Sequence, residues 1–367
     1  MKIKWKNLLL YICVLGLIAL GGYGLGNAVS ANFEQAQTGD PNLLWLVAVS
    51  VLAMYLALLT HELGHLLAGR LAGMRPFLLI SGPFKVMATQ TGLELGWNTS
   101  LALAGGLSAC LPGKDGNLRR QHLMLVAGGP LSSLLTGLLA LAGYWLLPKG
   151  SCLGLPILVY GVAGLSICLA TLLPAKTSGF MTDGAQLLSL WRGGQDVEEQ
   201  MALLLLQAES LSGTRPRDLS PELLQRVSSA PAGSLTGISA NMLVYTHALD
   251  GGDPITAGAA LQRAVEQNAH IPEGIRQAIF LEQAYYLAAH QHEVGQAEEA
   301  LRKGLASGLV EKHTRLRCQA AVLWAQGNSS QAAALAEQAR NFAQRSMDPG
   351  SAQAEMEWLE QLLTDKK

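Results

Sequence analysis

The sequence predicts an all-α protein in which a polytopic membrane helix bundle is followed by a soluble α-helical repeat domain. Three observations support this prediction. Long apolar runs are confined to residues 1–193, most charged residues follow that point, and a helix–turn–helix pattern recurs towards the end of the chain. We therefore divide the chain into a membrane-embedded domain at 1–193, a linker with short helices at 194–238 and a helical domain at 239–367.

Composition narrows the class of protein further. Half of the 367 residues are hydrophobic, only 14% are charged and the net formal charge is −1. Nucleic-acid binding calls for a basic face, so we expect no nucleic-acid partner. The five cysteines form no CxxC pair. They are typical of small buried apolar residues rather than of a disulfide framework.

Four apolar segments approach the length of about 20 residues that a helix needs to cross a bilayer. They are residues 8–26, 43–60, 122–147 and 155–173. We therefore expect about four spanning segments in an integral, multi-pass membrane protein. The first segment follows three lysines and ends near small residues, which is also typical of a cleaved signal peptide. Its apolar run is long for a signal peptide, which favours a retained helix.

Lysine and arginine residues alternate between the loops. They are present before the first segment, absent from 27–42, frequent between the second and third segments, and reduced to Lys149 in the next loop. Because positive residues stay on the cytoplasmic side, this pattern predicts a cytoplasmic C-terminal domain. Arg119 and Arg120 are expected to anchor a helix at the membrane interface. Short loops and a basic N-terminus favour a bacterial inner membrane.

Residues 77–101 do not form a good helix. Glycine and proline interrupt them, and 86–89 suit a strand. Non-helical backbone at membrane depth needs shielding by protein or a water-filled cavity. We expect a small β-hairpin near the candidate site, with a surface loop as the alternative.

An HExxH motif lies at the end of the second apolar segment, formed by His61, Glu62 and His65. Residues four apart share one face of a helix, so the two imidazoles can hold one zinc ion. Zinc lowers the pKa of a bound water to about 7, and Glu62 can take its proton as the water attacks an amide. The alternative is that these residues only cap a helix end, but polar groups in such a place are functional by default.

Asp183 is the candidate third ligand, because a catalytic zinc site has three protein ligands and one open position. It follows the break after the fourth apolar segment, with Gly184 next to it. Asp183 also suits the N-cap of a following helix. The two roles are compatible, and the residues alone leave the ligand role open.

Three ordered motifs resemble the site-two protease family of intramembrane zinc metalloproteases. The resemblance covers about residues 45–190. The first is HELGHLLAGR at 61–70, the second is LRR at 118–120 leading into AGGPLSS at 127–133, and the third is LLP at 172–174 followed by Asp183-Gly184.

This resemblance implies that His61, His65 and Asp183 bind Zn²⁺ and that Glu62 is the catalytic general base. Family members often carry an asparagine that holds substrate at the position of Ser133, and another at Thr171. Ser133 is therefore the candidate substrate-binding residue. A hydroxyl donates only one hydrogen bond and reaches less far than an amide, so the substrate-holding role here is open.

Three helix–turn–helix units at 241–266, 281–307 and 317–343 follow a period of about 35–40 residues, close to the tetratricopeptide spacing of about 34. Such stacks present a groove to peptides. We therefore expect a tetratricopeptide-like domain that can bind a protein or peptide adaptor. A plain helical bundle that only stabilises the protein is the alternative.

Together these features predict zinc-dependent intramembrane proteolysis, in which a zinc metalloendopeptidase cleaves a transmembrane protein substrate. The alternative function is a non-catalytic membrane scaffold that keeps the zinc site and acts through its helical repeats. A metal transporter is a third hypothesis, but the sequence lacks the internal inverted repeat common in transporters.

Overall fold

The computed structural model describes residues 43–89, 92–98, 105–113, 117–148, 151, 153–177, 180–271, 273–307 and 310–364. The described part of the chain is mostly helical with a small sheet. The chain divides into two compact units. The first runs to Trp191 without the short segments Ala88–Glu94 and Thr177–Phe180, which belong with the second unit from Arg192 onward. The expected first spanning segment, 8–26, lies outside the described residues.

Three long helices form the body of the first unit: α1 (Leu43–Leu71), α2 (Leu118–Leu146) and α3 (Gly154–Leu172). Within the described residues, these three are long and apolar enough to cross a membrane. Their outward faces carry exposed leucine and tryptophan side chains. A bilayer accepts such surfaces, whereas water does not. The first unit therefore has the character of an integral membrane protein.

Glycines set the spacing between α1 and α2. A Cβ atom at Gly128 would collide with the backbone oxygen of Gly64, and one at Gly64 would collide with Gly128 and Ser132. Small residues allow membrane helices to approach backbone to backbone. This close approach brings the polar residues of α1 within reach of α2.

A four-stranded sheet follows α1 and replaces the simple hairpin expected at 77–101. Its strands are β1 (Arg75–Ser81), β2 (Phe84–Thr89), β3 (Gly92–Trp97) and β4 (Leu107–Leu111), in the order β3-β2-β1-β4. β1 pairs antiparallel with β2 and with β4. Strand β1 has a bulge between Pro76 and Leu78 where it pairs with β4. Proline has no backbone N–H and cannot donate a hydrogen bond there.

Two short strands, β5 (Lys176–Thr177) and β6 (Phe180–Met181), connect α3 to α4 (Asp183–Arg192). Thr182 fixes the entry to α4. Its hydroxyl donates to the carbonyl of Leu173 at 2.6 Å and accepts from the backbone N–H of Ala175 at 3.0 Å. The chain therefore turns back sharply, and Asp183 becomes the first residue of a helix.

The second unit is helical throughout its described residues. Its α-helices are α5 (Gln195–Leu211), α6 (Pro221–Val227), α7 (Leu235–Asp250), α8 (Pro254–Gln267), α9 (Glu273–Tyr286), α10 (Val294–Gly304), α11 (Lys312–Ala325), α12 (Ser329–Ala343) and α13 (Pro349–Thr364). Within 194–238, Leu206, Leu219 and Val227 are buried in a common apolar cluster.

Successive helices α7/α8, α9/α10 and α11/α12 pack as pairs, with buried alanines at their contacts. The second pair begins at Glu273, eight residues before the expected start at Leu281. A π-helical turn and His292, in the left-handed conformation at φ 58°, end its first helix. The assignment of these pairs as tetratricopeptide-like repeats stays a prediction.

Candidate metal centre

The HExxH residues lie in the C-terminal half of α1. His61, Glu62 and His65 are all buried. The imidazoles of His61 and His65 are one helical turn apart, and their Nε2 atoms lie 3.2 Å from each other. Two nitrogen ligand atoms therefore face the same point, as the motif's spacing predicts.

Asp183 reaches this point from the first residue of α4. Its Oδ2 lies 3.2 Å from Nε2 of His61, and its Oδ1 lies 3.6 Å from Nε2 of His65. The ligand atoms of the three residues lie within 4.8 Å of one another. The structure thus brings together the three residues that the sequence analysis proposed as metal ligands.

The donor set fits a zinc ion. Zinc bonds of about 2.0–2.2 Å in tetrahedral geometry place ligand atoms about 3.3–3.6 Å apart. Here the two Nε2 atoms are 3.2 Å apart, Oδ2 of Asp183 lies 3.2 Å from His61, and the other carboxylate oxygen, Oδ1, lies 3.6 Å from His65. Two imidazoles and one carboxylate also form a three-ligand set of the kind found in catalytic zinc sites. This group could therefore hold a metal ion.

Helix α2 orients both imidazoles from behind. Nδ1 of His65 donates to the carbonyl of Leu125 at 2.8 Å, which leaves Nε2 as the ligand atom. Nδ1 of His61 lies 2.9 Å from the hydroxyl of Ser133. With Nε2 of His61 facing the other ligands, its Nδ1 carries the proton and donates to Ser133.

A glycine on α2 gives the His65 ring its space. A Cβ atom at Gly129 would collide with that ring. The Gly128-Gly129 pair therefore has two roles: Gly128 meets the backbone of α1 and Gly129 leaves room for a ligand.

Glu62 is covered by strand β4. The side chain of Ser108 lies beside the Glu62 carboxylate and interacts with it. Gly106, at φ 108°, lies so close that a Cβ atom there would collide with the same carboxylate. A side chain at this positive φ would also be strained. The sheet thus holds the carboxylate beside the two histidines.

The chain matches a known protein family. The model of peptidase family M50 matches residues 49–342, which is more than half of the chain. The chain belongs to peptidase family M50. No curated protein and no solved structure matches it. The M50 match begins inside α1 and ends within α12, so it includes the candidate ligands and most of the second unit.

Membership of the M50 family identifies the protein as a protease of a metallopeptidase family. It also implies the intramembrane type of activity, in agreement with the three apolar helices. The converging side chains are supplied by α1 and α4, both inside the matched range.

Ser133 has a position that its sequence motif did not indicate. Its side chain is 1% exposed and contacts His61 behind the ligand group. Its predicted contact with substrate stays a prediction. Thr171, at the other departure from the family pattern, approaches the carbonyl of Cys168 in its own helix at 3.4 Å.

Three contacts at the site could not be predicted from the sequence. They are made by Gly106, Ser108 and the Leu125 carbonyl. The first two depend on the pairing of β4 with β1, and the third on the rotation of α2 about its axis. The one available signal was Gly106 within a Gly-Gly pair, which is typical of a close backbone approach.

Proposed function

We propose that this M50 peptidase is a zinc-dependent intramembrane protease. It hydrolyses a peptide bond in or near a transmembrane segment of a protein substrate. The observation that carries this proposal is the convergence of His61, His65 and Asp183, with Glu62 beside them. The two histidines and Glu62 lie on an apolar helix long enough to cross a membrane.

The proposed ligands have separate parts in the chemistry. His61 and His65 bind through Nε2, and the Asp183 carboxylate completes the set from α4. A bound zinc supplies a Lewis acid that activates water and polarises the scissile carbonyl. The set of two nitrogens and one oxygen suits zinc and leaves one position open.

Glu62 acts as the general base in this proposal. It takes a proton from the attacking water and returns it to the leaving amine, as a carboxylate beside a metal can do. Ser108 lies beside the carboxylate and interacts with it. The burial of Glu62 excludes bulk water, which strengthens electrostatic interactions at the site.

We extend the proposal to the rest of the chain on the basis of the sequence. The lysine and arginine pattern supports a cytoplasmic helical unit, and the short loops and basic N-terminus support a bacterial inner membrane. Residues 239–367 form a tetratricopeptide-like domain that binds a protein or peptide adaptor. Residues 194–238 join it to the membrane domain at 1–193. The packed helix pairs of the second unit support this assignment.

The test uses full-length protein in proteoliposomes with added zinc and a pool of single-span membrane proteins. New N-termini are quantified by mass spectrometry for wild type, Glu62→Gln and the matched control Glu94→Gln, whose residue lies exposed on β3. We expect site-specific cleavage that Glu62→Gln reduces about 100–10,000-fold and Glu94→Gln leaves unchanged.

Cleavage that continues undiminished in Glu62→Gln would refute the catalytic role of this carboxylate. A zinc-loaded wild type that generates no new N-termini would favour the scaffold function over the protease.

A further inference from the structure

The helix that carries Asp183 is held at its far end by an arginine. Arg119, on the first turn of α2, donates from Nε to the carbonyl of Leu190 at 2.6 Å and from Nη2 to the carbonyl of Trp191 at 3.0 Å. Leu190 is fully buried. Both carbonyls belong to the last turn of α4, at the opposite end from Asp183.

The chemistry of this contact is specific to arginine. The last carbonyls of a helix have no partner within the helix and carry a partial negative charge. A guanidinium offers several N–H donors in a rigid planar fork, so two bonds to adjacent carbonyls fix both the position and the rotation of the helix end.

The N-terminal end of α4 packs closely against the end of α3. A Cβ atom at Gly184 would collide with the backbone of Leu172 at the end of α3. Helix α4 has ten residues, so it is about 15 Å long and moves as a stiff rod. A displacement at Leu190 and Trp191 would therefore be transmitted to Asp183.

The segment that follows α4 contains two consecutive glycines. Gly193 and Gly194 follow directly, with φ angles of 70° and 104°. Two consecutive glycines are conformationally permissive. Among the described contacts of this turn, the hydrogen bonds from Arg119 link it to the helix that also orients His61 and His65.

We propose that Arg119 is a positioning residue for the metal centre. By binding the C-terminal carbonyls of α4, it sets the distance between Asp183 and the two histidines on α1. Helix α2 then positions all three proposed ligands. It contacts the histidines through Leu125 and Ser133, and it acts on Asp183 through Arg119 and α4. The inference rests on the proposed function, because it assumes that the three residues bind a metal.

The first experiment measures the zinc affinity of full-length protein by competition with a chromophoric chelator. It compares wild type, Arg119→Gln, Arg119→Lys and Arg120→Gln. Arg120 is a matched control because it is the next residue and is also exposed. We expect Arg119→Gln to weaken zinc binding about 10–100-fold, as loss of a supporting contact does. Arg119→Lys should recover part of this loss, because it keeps the charge without the fork.

A double-mutant cycle tests whether Arg119 acts through Asp183. In an Asp183→Asn background, Arg119→Gln should have no further effect on zinc affinity, since the residue being positioned is no longer a carboxylate ligand. The visible spectrum of the cobalt-loaded protein should change in Arg119→Gln and stay like wild type in Arg120→Gln. A folding defect alone would change the unfolding temperature of the metal-free protein, which we expect to differ little between the two glutamine variants.

Wild-type zinc affinity and cobalt spectrum in Arg119→Gln would overturn the inference and return Arg119 to an interfacial anchor. Additive losses in the double-mutant cycle, or an equal loss in Arg120→Gln, would also overturn it. A wild type that binds no zinc would instead refute the proposed function itself, so the two failures are distinguishable.

Discussion

Both units of the chain bury titratable side chains, but they arrange them differently. In the first unit, two imidazole nitrogens and a carboxylate face one another with separations of 3.2–3.6 Å. In the second, Arg317 is fully buried between two carboxylates. Its Nη2 lies 2.5 Å from Glu282 and its Nε lies 3.1 Å from Glu355.

The difference lies in what each group leaves open. Around Arg317, opposite charges pair. The ring centroid of Tyr285 lies 4.2 Å from Cζ of the guanidinium. At the candidate metal centre, two imidazole nitrogens and a carboxylate converge on a common position. Buried charges that pair with each other need no further partner, whereas converging ligand atoms can hold a cation. We therefore assign chemistry to the first group and architecture to the second.

Removal of the buried cation in the second unit should have the greatest effect on the free energy of unfolding. Arg317→Leu leaves Glu282 and Glu355 unpaired, which should lower the free energy of unfolding of this unit by about 3–5 kcal/mol. Hydrogen exchange of α9, α11 and α13 measures this loss. Arg340→Leu is the control, because Arg340 is 45% exposed and its ion pairs with Glu337 and Glu360 are worth about 0–1 kcal/mol.

The zinc content of Arg317→Leu should stay at the wild-type value, because the two groups have separate roles. A variant that loses its zinc while α9 and α11 keep their protection from exchange would erase the distinction between them.

The next effect concerns the space around His65. Gly129→Ala forces a methyl group against the ring and should weaken zinc binding about 100-fold or more, since ligand geometry tolerates little displacement. Gly143→Ala lies on the same helix in open space and should leave affinity unchanged. Chelator competition measures both variants. Equal affinities in the two would show that α2 does not confine the ligand.

A smaller effect distinguishes two roles for Ser133. Ser133→Ala removes the partner of His61 Nδ1 and should weaken zinc binding about 10-fold. Ser166→Ala is the control, because that hydroxyl donates to the Val162 carbonyl of its own helix. Unchanged zinc affinity with a raised KM for a substrate would instead support the predicted substrate contact.

The second unit should also show a pH dependence of its stability. Burial raises the pKa of the Glu355 carboxyl from 4.5 to about 7, next to Arg317, Glu282 and Thr314. As pH rises from 4.5 to 7, the unfolded chain loses this proton while the folded chain keeps it. The carboxyl therefore contributes stability at low pH that is lost as pH rises through 7.

Glu355→Gln should remove this contribution. The stability of wild type relative to Glu355→Gln should fall between pH 4.5 and 7 and level off above 7, measured by hydrogen exchange of α11 and α13. Glu360→Gln, at an exposed position, should run parallel to wild type throughout. A parallel course for Glu355→Gln as well would contradict a raised pKa at this site.

Much of the candidate site could be predicted from the sequence, because its information is local. The i, i+4 spacing of His61 and His65 on an apolar helix fixes their common face. A break followed by Asp183-Gly184 marks a helix start. The helical texture of both halves follows from their composition and periodicity, and the apolar runs at 43–60, 122–147 and 155–173 became α1, α2 and α3.

The remaining features depend on contacts between distant segments. Strand β4 covers Glu62 only because Leu107 to Leu111 pair with β1 across a bulge, and no local pattern encodes that register. The hydroxyl of Ser133 faces His61 because glycine contacts set the rotation of α2 against α1. Arg119 has the same sequence character as Arg120, and its distinct role depends on where α4 ends.

His61, His65 and Asp183 are proposed to form one metal site, and the metal content per chain measures whether they do. Protein purified without chelators is analysed for zinc by elemental mass spectrometry, comparing wild type with Asp183→Ala and with the exposed control Asp196→Ala. We predict about one zinc per chain in wild type and Asp196→Ala, and much less in Asp183→Ala. A wild type without zinc after reloading, or an Asp183→Ala variant with full zinc, would contradict the account.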